Sequence, residues 1–417
     1  MTQTTLHDDD IRAAAAPLDF ALAEFARRFP GDSPARQPVH TVYGGAQLFK
    51  SDTPQKLGVL ALRALELFAP DAATLAEAIG LHPAQAEMVY ARVLEKLRRE
   101  PVEDFRIDFE DGYGNRPDDE EDGHAAAAAR AVAAGMRDGT LSPFIGIRTL
   151  DIFVSTLIGE AGALPPNFVV TLPKIQLPEQ VTTLIDVFEQ LEPKLKLAPD
   201  TLKMEFMIET TQSILNARGG SNLPLFLDAA SGRAVAAHFG TYDYTASCNI
   251  TAAHQRMDHP ACDFARHMMQ VAYAGTGLWL SDGATNVMPI GDRATVHRAW
   301  RLHVDHIRHS LINAYYQGWD LNPAQLPTRY AAVYAFFLES LTAATERLRN
   351  FMEKAGQATL IGDVFDDAAT GQGLLNYFLR GLNSGALTEE ETLATGLTLE
   401  ELRSRSFVKI LKGRRGL

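Results

Sequence analysis

From residue 1 to about residue 100, apolar side chains recur at three- and four-residue spacing. This predicts helices over Leu18 to Arg28, Pro54 to Phe68 and, interrupted at Gly80 and Pro83, Asp71 to Arg99. Between the first two lies Val39-His-Thr-Val-Tyr-Gly-Gly, read as a first strand closed by a glycine turn. From Val102 to about Gln325, short β-rich runs alternate with helical stretches, the pattern of a parallel sheet wrapped by helices. The expected strands are Asp104–Phe109, Phe144–Arg148, Phe168–Pro173, Leu202–Ile208, Ala234–Gly240 and Gly277–Leu280, with a further one near Trp319. The intervening helices include Ala125–Met136, Pro178–Leu191, Phe264–Ala274 and Thr295–Gln317. From Tyr330 the spacing is helical again, ending in a small basic run from Lys409 to Arg415 that reads as a solvated helix end.

This pattern predicts an α/β fold, a TIM (β/α)8 barrel with additional N-terminal and C-terminal helices. The chain divides into an N-terminal helical extension (1–37), the barrel (38–330) with a helical insertion at 53–100, and a C-terminal helical region (331–417). Nearly every expected strand ends in charge: Asp108-Phe-Glu110-Asp111, Arg148, Lys174, Glu209 and Asp243. In an α/β barrel those ends open onto one face, so residues far apart in sequence meet in one pocket. A doubly wound open sheet gathers fewer of its strand ends around one point.

Composition narrows the choice of partner. The 52 acidic and 39 basic side chains give a formal charge of −13, which repels a phosphate backbone and an anionic membrane alike. Neither nucleic acid nor membrane is therefore expected as a partner. Two cysteines, Cys248 and Cys262, cannot build a disulfide framework or a cysteine zinc cluster. With Asp8, Asp9 and Asp10 where a secretory signal would be basic, the expected location is cytoplasmic.

Glu209, in Phe206-Met-Ile-Glu-Thr-Thr, follows an apolar strand and is a natural metal ligand at the barrel mouth. Asp243 does the same one βα unit later, so two hard oxygen donors stand on neighbouring strands. Mg²⁺, or Mn²⁺ in its place, is held by one or two carboxylates with water or substrate oxygens filling the remaining positions. Taken singly, either acid could instead cap the next helix or pair with a lysine. The Arg148 guanidinium suits bidentate capture of a substrate carboxylate, or an internal pair with Glu110 or Asp111. Lys174 either stabilises an oxyanion or neutralises the acids around it. The acids Asp108, Glu110 and Asp111 repel one another, which is best tolerated where a cation offsets them. His40 is a candidate base, as is Asp320, while His303, His306 and His309 read as an exposed or half-buried helical stripe. No phosphate-binding loop, dinucleotide fingerprint or nucleophile elbow occurs.

The ordered fragments Asp108-Phe-Glu-Asp, Gly146-Ile-Arg, Leu172-Pro-Lys, Ile208-Glu-Thr and Gly240-Thr-Tyr-Asp resemble the HpcH/HpaI aldolase and citrate lyase β-subunit superfamily. Gly318-Trp-Asp-Leu-Asn-Pro-Ala-Gln-Leu is similar to a late segment of those barrels, in shortened form and with Asn322 in place of its histidine. The resemblance spans roughly residues 38 to 330. It implies Mg²⁺ on Glu209 and Asp243, substrate carboxylate on Arg148, supporting acids at Glu110 and Asp111, and homo-oligomers. The implied activity is carbon–carbon lyase or aldolase chemistry on a small 2-oxo or 2-hydroxy acid, or its CoA thioester, through a metal-stabilised enolate. Tyr43-Gly44-Gly45 replaces the family's Val-Pro-Gly-like turn, where thioester contacts would lie. Phosphoryl transfer between phosphoenolpyruvate and pyruvate in the same pocket, and a non-catalytic binding barrel, are the alternatives.

Overall fold

The computed structural model describes residues 18, 20–142, 144–147, 150–353, 359–361, 364–366 and 368–414. Helix α1 (20–28) leads into strand β1 (His40–Gly45). Helices α2 (Thr53–Phe68), α3 (Ala72–Ile79) and α4 (Pro83–Arg99) then form an insertion before β2 (Asp104–Asp108). The breaks within it have local causes. The Asp71 carboxylate caps α3 by accepting from the Thr74 N–H, Gly80 ends it in a left-handed conformation (φ 67°), and Pro83 opens α4.

Strand and helix then alternate: α5 (Asp118–Asp138), β3 (Phe144–Ile147), α6 (Asp151–Ala161), β4 (Phe168–Leu172), α7 (Pro178–Lys194) and β5 (Lys203–Ile208). After β5 come α8 (Thr211–Ile214) and α9 (Leu223–Ala229), then β6 (Ala234–Phe239), α10 (Thr241–Ser247), α11 (Pro260–Tyr273), β7 (Trp279–Ala284), α12 (Arg293–Ile312) and β8 (Gln317–Asp320). All neighbouring pairs are parallel, in chain order, and β8 returns to pair with β1 through His40 opposite Gly318 and Val42 opposite Asp320. The sheet is thus parallel and barrel-like, with its carboxyl ends on one face.

Alternation along the strands decides what each face buries. In β2, Phe105 and Ile107 join the apolar layer beneath the helices. Arg106 instead reaches across to β5, two strands removed from its neighbour β3, and grips Glu205 with Nε–Oε1 2.8 Å and Nη2–Oε2 2.9 Å. That contact spans the lumen, so Asp104, Arg106 and Asp108 face inward.

Several expectations need correction. The helix expected over Thr295–Gln317 ends at Ile312, because Ala314 turns left-handed (φ 61°) and Gln317 starts β8. The strand expected at Gly277–Leu280 runs instead over Trp279–Ala284. Its polar Ser281 and Asp282 disguise it, since Asp282 is buried against Arg266 (Nη1–Oδ2 2.7 Å) and the Ser310 hydroxyl (2.6 Å). Helix α13 (Leu326–Glu353) runs through residue 330, where the sequence pattern places a boundary. The tail is not wholly helical: β9 (Thr359–Ile361) and β10 (Val364–Asp366) pair antiparallel before α14 (Ala368–Asn383), α15 (Glu389–Leu393), α16 (Leu399–Arg403) and α17 (Phe407–Arg414). His303 and His306 are not an exposed stripe but are buried between α12 and its neighbours. Among the described residues, no helix is long and apolar enough to cross a membrane.

Candidate active site at the carboxyl ends of the strands

Phe206, Met207 and Ile208 are fully buried, and the next residue, Glu209, is still only 3% exposed where the chain leaves β5. Its Oε1 accepts the backbone N–H of Lys174 at 2.8 Å. Lys174 follows β4 in a left-handed conformation (φ 48°), an uncommon state for a residue with a side chain, which presents that N–H to Glu209. Its ammonium donates to Glu110 Oε1 at 2.7 Å and lies 3.5 Å from Asp111 Oδ2 and 3.6 Å from Asp243 Oδ1.

The turn after β2 is organised by Asp108, whose carboxylate accepts the N–H groups of Glu110 (2.9 Å) and Gly112 (2.6 Å). A side chain at position 112 would collide with the Asp108 carboxylate, so glycine is needed there for close approach. Asp243 stands in the first turn of α10, where the helix dipole favours a negative charge. The neighbouring Tyr242 fixes that turn: its hydroxyl donates to the Ala284 carbonyl (2.7 Å) and accepts the Asn286 N–H (2.9 Å). Burial pushes this hydroxyl up to about 12 against the opposing hydrogen bond from Asn286, so it stays protonated. A Cβ at Gly240 would run into Glu209, so the β6 turn closes directly on the β5 carboxylate.

The structure therefore brings together Glu110, Asp111, Lys174, Glu209 and Asp243 from the ends of β2, β4, β5 and β6. Burial would lower the Lys174 pKa, yet its hydrogen bond to Glu110 and the fields of Glu209 and Asp243 hold it above the ordinary lysine value. It is a fixed cation at neutral pH, suited to neutralising acids or binding an oxyanion and unsuited to accepting a proton. Arg148 lies outside the described residues.

His40 is not part of this group. It is the first residue of β1, at the opposite end of the strand from the mouth, and is fully buried. Its Nδ1 lies 2.9 Å from Asp320 Oδ2, and its Nε2 accepts the Glu103 N–H at 3.0 Å. Asp320 is similarly engaged, with His303 Nε2 (3.1 Å) and Arg329 Nη2 (2.9 Å) on Oδ1. These contacts explain the buried histidines as a packing hub rather than as a base near the acids.

The donor set fits Mg²⁺ or Mn²⁺. Glu209 and Asp243 offer hard oxygens on adjacent strand ends, and the Lys174 ammonium shows that these carboxylates gather around positive charge. Among the described residues, no group of three His, Cys, Asp or Glu side chains is assembled for a metal. Mg²⁺ does not demand one, since water and substrate oxygens complete its octahedron.

Sequence reasoning missed the lumen below this mouth. There Arg106 also pairs with Asp104, Thr171 donates to Glu205 Oε1 (2.6 Å), and the Trp319 indole donates to His238 Nδ1 (3.3 Å). The available signal was the two-residue alternation of Asp104, Arg106 and Asp108 in β2, and the lone Glu205 inside the otherwise apolar Met204–Ile208 run of β5.

A crystal structure of a citrate lyase from Burkholderia xenovorans LB400 aligns with a TM-score of 0.56 at 18% identity, covering 88% of this chain and 99% of that one. A Haloferax volcanii malate synthase magnesium/glyoxylate complex aligns with a TM-score of 0.44 at 14% identity, covering 90% of this chain and 96% of that one. The protein CitE from Mycobacterium tuberculosis, in complex with magnesium and acetate, aligns at 0.38 and 16% identity, covering 70% and 89%. At these identities the likeness is one of fold, carried by the first of the three. No curated protein matches the sequence. The family model described as a domain of unknown function, DUF6986, matches residues 18–410, and the chain belongs to that family.

Proposed function

We propose that this chain is a TIM-barrel, Mg²⁺-dependent carbon–carbon lyase or aldolase of the HpcH/HpaI and citrate-lyase-β-like kind. Its substrate would be a small 2-oxo or 2-hydroxy acid, free or as a CoA thioester. The observation that carries this reading is the gathering of Glu110, Asp111, Glu209 and Asp243 around the Lys174 ammonium at the strand ends. The ordered motifs of the sequence and the fold shared with a citrate lyase structure support it.

In this reading Glu209 and Asp243 would hold the metal, which would supply Lewis-acid polarisation of the substrate's oxygens. The Lys174 backbone N–H aims the Glu209 carboxylate, and its ammonium, held by Glu110, faces developing negative charge with little reorganisation. Arg148 is assigned the substrate carboxylate from its place in the Gly146-Ile-Arg motif of the sequence. Tyr242 keeps Asp243 in place by tying its turn to the end of β7.

The test is product analysis with a panel of 2-oxo and 2-hydroxy acids plus Mg²⁺, on the native chain and on Glu209→Gln and Asp243→Asn. The native protein is expected to cleave or form a carbon–carbon bond only with the divalent ion. Both variants should keep native circular dichroism and lose turnover by at least a hundredfold. Undiminished turnover in both variants, or consumption of phosphoenolpyruvate with phosphoryl transfer and no carbon–carbon cleavage, would overturn the reading.

A further inference from the structure

A cavity of about 390 Å³ lies where the C-terminal helices meet the segment leading into β1. Asn376 and Arg380 of α14 form one side, Arg405, Ser406 and Lys409 around the start of α17 a second, and Pro30 to Asp32 a third. Gln372 fixes this arrangement. Its Oε1 accepts the Phe407 N–H (3.0 Å), and its Nε2 donates to the Arg405 carbonyl (3.1 Å) and to Asn376 Oδ1 (2.9 Å). A backbone N–H can only donate, so it sets the orientation of the Gln372 amide, and Asn376, its oxygen engaged, has N–H groups to offer. None of the acids gathered by Lys174 borders this space.

Three cations, Arg380, Arg405 and Lys409, border the cavity against one carboxylate, Asp32. Residues of these types all keep their charge at neutral pH, so the cavity carries an excess of two positive charges in a chain whose formal charge is −13. Asp32 offsets little of it, since its Oδ2 stands 3.5 Å from Arg380 Nη2 and its side chain is 55% exposed. Arg380 is held by Nη1 to Gln37 Oε1 (2.7 Å) and by the Tyr316 ring, 4.9 Å from its guanidinium carbon. Arg405 has donors left over: Nη1 serves the Ser33 carbonyl, while the enclosed Nε has no hydrogen-bond partner among the described residues. Burial and the field of Arg380 both lower the Arg405 pKa, with Asp32 opposing, so the two guanidinium groups repel each other across this space. The Lys409 side chain is exposed and borders the same space.

We propose that this cavity binds a dianionic phosphate group, free or borne on a small organic body. Its charge matches the excess, and its oxygens can accept from guanidinium, ammonium and the Asn376 amide at once. A monocarboxylate brings less charge and fewer oxygens, and a cation would meet three like charges. The start of α17 adds to the attraction: the Ser406 hydroxyl oxygen accepts the Lys409 N–H (3.3 Å) there, which places the positive end of the helix dipole at the cavity. The volume is within the range of about 300–1,000 Å³ that small-molecule sites occupy, so the body of a phosphomonoester has room. A group held here would tie α14 and α17 to the segment before β1. Arg380 carries that tie to the barrel, because the Gln37 amide it holds donates to the Leu280 carbonyl (3.0 Å) and to Gln317 Oε1 (3.2 Å).

The experiment is calorimetric titration of the full chain, at low ionic strength and without divalent ions, with inorganic phosphate, glycerol phosphate and acetate. Both phosphates are expected to bind at least tenfold more tightly than acetate and to weaken as salt is added. Whichever of the two binds more tightly identifies the source of the group, and either order supports the proposal. Lys409→Glu and Asn376→Asp, both at exposed positions, should each weaken phosphate at least tenfold. Asp32→Asn, which removes the competing carboxylate, should tighten it at least threefold. Lys174→Met at the barrel mouth should leave all three titrations unchanged. Equal affinity for acetate and phosphate, or phosphate binding indifferent to both Lys409→Glu and Asn376→Asp, would overturn the proposal, as would weaker binding in Asp32→Asn. Loss of phosphate binding in Lys174→Met would assign the anion to the mouth and overturn it equally. Because this site shares no residue with the acids around Lys174, its failure leaves the lyase reading untouched.

Discussion

Replacing Lys174 with methionine is expected to strengthen Mg²⁺ binding while weakening catalysis. The Lys174 ammonium lies 3.6 Å from Asp243 Oδ1, and the two side chains are 39% and 41% exposed. Coulomb's law at that separation gives about 1 kcal/mol in bulk water and about 4–5 kcal/mol at an effective dielectric constant of roughly 20. Exposure and screening place the pair near the lower figure, about 1–2 kcal/mol. A metal that shares Asp243 must compete against that neutralisation, so its removal should raise Mg²⁺ affinity by roughly 5- to 30-fold. The backbone N–H that orients Glu209 survives the substitution, so one metal ligand stays aimed. Titration calorimetry of native and Lys174→Met protein in dilute buffer reads the change, and the gain should shrink as salt is added. The apo variant should also unfold at a lower temperature, with saturating Mg²⁺ restoring more of the loss than it adds to the native protein. An unchanged or weaker Mg²⁺ affinity in the variant would mean that the ammonium and the metal do not share these acids, and the proposed metal site would fall.

Two further outcomes test the scaffold around the site. Asp320→Asn removes the carboxylate on which His40, His303 and Arg329 converge and leaves a buried guanidinium without its counter-ion; this should cost about 3–5 kcal/mol in urea unfolding. A loss under 1 kcal/mol would mean that the hub is not what ties β8 to β1, α12 and α13. His306 is lowered to about 4, by burial first, with Asp258 opposing. As pH falls from about 6.5 toward 4 the unfolded chain takes up this proton before the folded one does. That residue alone should therefore withdraw about 3 kcal/mol of stability over this window and nothing above it. His306→Gln should flatten that part of the stability profile; an unchanged slope between pH 4 and 6.5 would contradict the burial argument.

The residues that were legible in the sequence share a property: each lies just beyond an apolar run, so pattern alone placed it at a strand end. Lys174 after Phe168–Leu172 and Glu209 after Lys203–Ile208 are examples. His40 was misjudged because its nearness in sequence to Gly44 and Gly45 hid five residues of extended chain. A strand rises about 3.3 Å per residue, which carries His40 to the far end of the barrel from the glycine turn. The β7 strand was misplaced because Asp282 looks like a loop residue until Arg266 and Ser310 are seen beside it. That pairing is long-range, and nothing local announces it. The β9–β10 hairpin escaped for a different reason: its strands are three residues each, too short to display a period.

The same alternation that sequence reading overlooked links the two ends of the barrel. Glu205 lies within β5 and Glu209 is the first residue beyond its carboxyl end. Glu205 is locked by Arg106 from across the lumen, and Arg106 stands two residues before Asp108, the carboxylate that shapes the turn presenting Glu110 and Asp111. The carboxylate-bearing turns after β2 and β5 thus grow from strands that are pinned to each other across the lumen by a bidentate ion pair. Such a pair contributes little net stability, because burying the charges costs about as much as their attraction returns. What it does supply is a fixed register between β2 and β5, strands that never hydrogen-bond to each other. Holding four acids close to one ammonium requires that register, since repulsion would otherwise spread the turns apart.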